Sequence, residues 1–164
     1  MELSGRHLND NKWPPKGLLK IPREGNVILV TTGVSLRPQP NIELYIDDPR
    51  PFRRIELGVV LRGDTGEGLI EKFARFINGQ SGLPWRQFTW LSHGHSIRLN
   101  GFDETSYKGV LLANSRFHLP HVELPTFDED PVTLLWMIPV TGPELETAKK
   151  IGSDSIIDKT PYPR

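Results

Sequence analysis

The chain has 164 residues, 37% of them apolar and 24% charged, and its 20 basic and 20 acidic side chains cancel to a formal net charge of zero. A chain of this length makes one soluble domain that buries roughly 70% of the surface its open form exposes. The charge balance argues against a nucleic-acid binder, which needs surplus cations against phosphate, and the absence of cysteine excludes disulfides, thiolate zinc sites and thiol nucleophiles.

No 18-residue apolar run exists to cross a membrane. The opening residues, MELSGRHLNDNKWPPKG, lack the apolar centre of a secretory signal, so the expected location is cytoplasmic. Gly and Pro, 15 each, point to many turns between short strands.

Residues 1–25 are polar, carry Pro14, Pro15 and Pro22, and read as an N-terminal arm that Leu18, Leu19 and Ile21 could pin to the body. The domain proper is expected over residues 26–160. Asn26 to Thr32 reads as its first strand, followed by turn chemistry at Gly33, Pro38 and Pro40. Asn41 to Ile46 alternates, with Ile42, Leu44 and Ile46 on one side, which predicts a half-covered strand. Arg54 to Leu61 fits either a third strand or the start of a helical segment.

Asp64-Thr65-Gly66-Glu67 opens a helix. Leu69, Ile70, Phe73, Phe76 and Ile77 form its apolar stripe, Glu71 can pair with Arg75, and Asn78-Gly79 is the expected stop. Residues 80–106 are loop-rich. Tyr107 to Ala113 is another strand, His121 to Leu124 a short extended piece, and Asp128, Glu129 and Asp130 an acidic turn.

Val132 to Ile138 is apolar except at Thr133. The run is short and bounded by prolines, so it predicts a strand covered on both faces that ends at Pro139. Thr141 and Glu144 then have capping-box spacing, and Pro143 falls in the first turn of the helix they begin. Leu145, Ala148 and Ile151 repeat at helical spacing, Glu146 can pair with Lys150, Gly152 stops the helix, and Ser153 can cap a last short one with Ile156 and Ile157. Strands and helices without regular alternation indicate α+β: one domain with a mixed, mostly antiparallel sheet packed with a few helices.

Catalytic signatures are scarce. His93-x-His95 and His118-x-x-His121 are the candidate metal ligands, but no HExxH is present. GxSxG and SxxK are also absent, and GDTGEG at Gly63 to Gly68 lacks the Gly-Lys-Ser/Thr ending of a phosphate loop. Trp85, Phe88 and Trp90 can make a binding hot spot or fasten a long loop. Trp85, Trp90, His93 and His95 are therefore the expected partner-binding positions, with no catalytic residue, metal or cofactor. The alternative is a metal-dependent hydrolase using His93, His95 and the acidic turn.

Several segments resemble the suppressor-of-fused family: Thr31-x-Gly33-x-Ser35, ELYI at Glu43 to Ile46, Gly94-His95-Ser96 with Ile97 and Leu99, LLWMIPVTGPELE, and KKIGSDSIID. The resemblance covers roughly residues 26–158. It implies a non-catalytic protein-binding domain. Animal members hold a transcription factor, in part by strand addition, and carry a second domain. Bacterial single-domain members act as immunity proteins. The chain's size is similar to that of the bacterial type, which implies a protein partner such as a cognate toxin.

Overall fold

The computed structural model describes residues 16–114, 124–127 and 129–159. Strands β1 (Gly17–Arg23) and β2 (Asn26–Thr32) form an antiparallel hairpin in register from Gly17 opposite Thr32 to Arg23 opposite Asn26. Glu24 and Gly25 close it with φ of 46° and 75°, the two-residue turn whose twist matches that of the strands. Residues 17–25, read from sequence as part of the arm, thus build an edge of the sheet. Leu18 is buried, whereas Leu19 and Ile21 are 37% and 42% exposed.

The half-covered strand expected over Asn41 to Ile46 does not form. Asn41 adopts a left-handed φ of 59°, a conformation that turns the chain, and Ile42–Leu44 makes a single 3-10 turn. The N–H groups of Leu44, Tyr45 and Ile46 fold back onto the Asn41 and Ile42 carbonyls. Only Ile42 of the alternating set is buried, and Leu44 and Tyr45 stand out in solvent.

A short helix α1 (Arg50–Arg53) leads into β3 (Arg54–Arg62), so the strand alternative holds there. Helix α2 (Glu67–Ser81) passes through Asn78-Gly79 and stops at Gly82 instead. Ser81 is fully buried, and its hydroxyl donates to the Asn78 carbonyl, which holds the extra turn. The loop-rich middle contains helix α3 (Leu83–Gln87) and strand β4 (Ser96–Arg98). Then come β5 (Tyr107–Ala113), the two-residue β6 (Thr126–Phe127), β7 (Asp130–Thr141), α4 (Gly142–Ile151) and α5 (Asp154–Ile157). Residues 115–123, with His118 and His121, lie outside the described residues, as does Asp128.

The sheet order is β1-β2-β3-β7-β5-β4, with β6 against the start of β7. Only β3 and β7 run parallel; the other pairs are antiparallel. This is the expected α+β domain with a mixed, mostly antiparallel sheet. β7 is covered on both faces because alternate residues enter different cores. Leu135 and Met137 join Leu29, Leu57 and Val59 under α2, with Phe73 and Ile77. Leu134, Trp136, Ile138 and Val140 pack with Leu145, Ala148 and Ile157 of α4 and α5.

β7 does not end at Pro139. Its ladder with β3 closes at Trp136, while β5 continues beside it, with Val110 opposite Pro139. A strand paired on one side only is an edge-like place, where a residue without an N–H is tolerated. The Thr141–Glu144 capping box forms: the Glu144 carboxylate accepts the Thr141 N–H at 2.8 Å. Two details of α4 differ from expectation. Ile151 is 69% exposed rather than part of the packed face, and Glu146 pairs with Lys149 rather than Lys150. No helix among the described residues is long and apolar enough to cross a membrane.

Candidate functional site

The segment after β2 is held by a buried carboxylate. Glu56 of β3, 4% exposed, accepts hydrogen bonds from the Thr31 hydroxyl (2.6 Å), the Ser35 N–H (3.0 Å) and the Ser35 hydroxyl (2.7 Å). Burial raises its pKa, and these donors, with a backbone bond from Gly33, oppose the rise. Thr31-x-Gly33-x-Ser35 is therefore a cradle for a carboxylate inside the fold. Nearby, the amide of buried Gln39 donates to the Phe52 and Leu91 carbonyls, both at 2.8 Å, and accepts the Leu91 N–H at 2.7 Å. One side chain thus ties the loop before β4 to the segment before β3.

Asp130, the described acid of the acidic turn that is buried, is engaged by arginine. Its carboxylate lies 3.6 Å from Arg53 Nη1 and 3.5 Å from Arg54 Nε. Arg54 also packs over the Phe127 ring, 5.5 Å from its centroid.

The two central histidines go separate ways. His93 Nδ1 accepts the Asn114 N–H at 3.2 Å, which leaves the proton on Nε2 to donate to Asp154 Oδ1 at 2.7 Å. His93 is a clip between the end of β5 and α5. His95 packs tilted against Trp90, with ring centroids 4.6 Å apart and planes inclined by 60°. Burial lowers its pKa, and a hydrogen bond to the Trp90 backbone works in the other direction. Among the described residues no three His, Asp or Glu side chains converge as metal ligands would.

Trp85, within α3, packs half-buried against the core under α2. Phe88 ends α3 with a left-handed φ of 50° and is 72% exposed. Of the four expected partner-binding positions, the structure joins Trp90 with His95 and places Trp85 and His93 in separate contacts.

The sheet has two further features. The outer side of β1 is unpaired among the described residues, and Leu19 and Ile21 flank it. Its inner side is anchored by Leu18 in the core and by Lys20, which pairs with Glu67 of α2 at 2.8 Å. A cavity of about 340 Å³ opens where β3 and β7 end beside the first turns of α2, lined by Leu61, Arg62, Asp64, Thr65, Leu69, Phe73, Tyr107 and Pro139. Neither feature was readable in the sequence, because each needs the strand order.

The fold is shared with solved structures. The chain superposes on a Sufu chain from a crystal structure of the Sufu–Fu complex with a TM-score of 0.61 and 13% identity, covering 87% of this chain and 67% of that one. A suppressor-of-fused homologue from Neisseria gonorrhoeae FA 1090 gives 0.54 and 17%, covering 91% and 71%. Drosophila Suppressor of Fused gives 0.60 and 13%, covering 87% of this chain and 37% of that one. No curated protein matches. The family model described as Suppressor of fused protein matches residues 12–161, most of the chain, and so the chain belongs to the suppressor-of-fused family.

Proposed function

We propose that this domain is a non-catalytic protein-binding module that holds its partner by accepting a strand from it along β1. The carrying observation is the β1 edge, unpaired among the described residues, anchored by Leu18 and Lys20 and flanked by Leu19 and Ile21. Strand addition supplies main-chain hydrogen bonds, and the alternating side chains supply selectivity. Pro22 interrupts the edge, so pairing runs over Gly17 to Ile21. A Sufu relative crystallised in complex with Fu supports a protein as the partner.

In the finer reading the partner is a cognate toxin that the domain neutralises in the cytoplasm. Trp90 and His95, half-buried near the opposite edge of the sheet, supply a second contact.

The test is co-expression with the product of the neighbouring gene. The wild type should co-elute with it and restore growth if that product is toxic. Leu19→Lys with Ile21→Lys, which places charges on the edge, should weaken binding at least tenfold at unchanged melting temperature. Full binding by the double variant would remove the β1 reading, and co-elution without toxicity would remove the immunity reading.

A further inference from the structure

The cavity at the ends of β3 and β7 has an apolar floor and a polar mouth. Leu61 and Phe73 are each 2% exposed, Leu69 and Tyr107 form half-buried walls, and Pro139 closes the back. Arg62 and Asp64, paired at 2.8 Å, stand exposed at the rim. The hydroxyls of Thr65 and Tyr107 make no hydrogen bond among the described residues. Solvent-accessible hydroxyls on half-buried side chains beside an apolar floor favour an occupant with an apolar body and a polar tip. About 340 Å³ is at the small end of ligand sites, room for one large side chain rather than an extended cofactor.

The cavity also lies within reach of the open edge. Arg62 stands opposite Asn26, and Asn26 opposite Arg23 at the end of β1. The rim is therefore two strand spacings, about 10 Å, from the edge strand. A strand added outside β1 lies one spacing farther out, so about five extended residues beyond its pairing with Ile21 bring the partner chain to the rim.

We propose that this cavity is an anchor pocket for one aromatic side chain with a polar tip, a tyrosine or tryptophan, carried by the partner protein about five residues beyond the strand it adds to β1. This rests on the protein-binding reading and gives it chemistry. Such rings supply much apolar contact at little entropic cost and often dominate binding energy when seated in a pocket. The ring lies on Leu61, Leu69 and Phe73, and its tip meets the hydroxyls of Thr65 and Tyr107.

The test uses NMR titration of the full chain with p-cresol, toluene and the blocked peptide acetyl-Gly-Tyr-Gly-amide, and so needs no partner. Saturable shifts should appear at Thr65, Leu69 and Tyr107. p-Cresol should bind about fivefold tighter than toluene, the worth of one modest hydrogen bond. The peptide should bind at least as well as p-cresol. Thr65→Val with Tyr107→Phe, which conserves shape, should erase the preference for p-cresol and leave toluene binding unchanged. Absence of saturable shifts at these residues, or equal affinity for p-cresol and toluene, would overturn the proposal. So would p-cresol binding without peptide binding, which would mark a small-molecule site. An empty pocket with intact partner co-elution refutes the anchor alone; a filled pocket with no co-elution refutes the protein-binding reading alone.

Discussion

Replacing Glu56 with alanine removes the acceptor for four donors: the hydroxyls of Thr31 and Ser35 and the N–H groups of Ser35 and Gly33. The hydroxyls can turn elsewhere, and Thr31 Oγ1 already has the Leu57 carbonyl at 3.3 Å. The two N–H groups cannot, and each orphaned group costs about 1–3 kcal/mol. With water recovering part of the loss, Glu56→Ala should cost about 3–4 kcal/mol. Glu56→Gln should cost under about 1 kcal/mol, because its amide can donate to Thr31 Oγ1 while its oxygen still accepts from Ser35. The pH dependence has a definite sign. Burial raises the folded pKa above the usual 4.5, so the native state binds the proton more tightly. The stability from this group is fully present below the unfolded pKa and is lost as pH rises through the folded one. Exposed Asp48, Glu104 and Glu146, whose pKa values are lowered by Arg50, Lys72 and Lys149, act in the opposite sense. They cancel when wild type is compared with Glu56→Gln. Urea unfolding between pH 4 and 8 should show the wild type gaining on Glu56→Gln as pH falls. A Glu56→Ala loss below about 0.5 kcal/mol, or a pH-independent difference, would contradict this role for Glu56.

Three further outcomes are expected. A Cβ on Gly58 would come within 2.8 Å of the fully buried Trp136 ring, so Gly58→Ala should destabilise by about 2–3 kcal/mol, measured by urea midpoint. Glu144→Ala removes the acceptor of the Thr141 N–H and should cost about 1 kcal/mol, with faster amide exchange confined to the first turn of α4. Tenfold excess zinc should leave the melting temperature within about one degree, because His93 and His95 hold different partners; a larger rise would reveal a bound ion.

What could be read from sequence was local. The strand at Val132 to Ile138, the stripe of α2 and the Thr141–Glu144 cap each declare themselves within a few residues. Asn41 to Ile46 misled because alternation says nothing about a left-handed residue at its start. β1 escaped notice because it buries only Leu18, and a strand with one buried residue and a proline resembles a loose arm. Glu56 and Gln39 were invisible as organisers, since their partners lie 21–25 and 13–52 residues away along the chain. Loop aromatics and histidines carry the same letters whether they grip a partner or fasten the chain, so the internal contacts of Trp85 and His93 could not be read beside their expected binding role.

Amide hydrogen exchange on the chain alone, and then with the co-expressed product of the neighbouring gene, tests strand addition most directly. New protection is expected at the outward-facing N–H groups between Gly17 and Ile21, with the β3 and β7 amides unchanged. A stable complex that leaves those β1 amides exchanging at their free rate would contradict it.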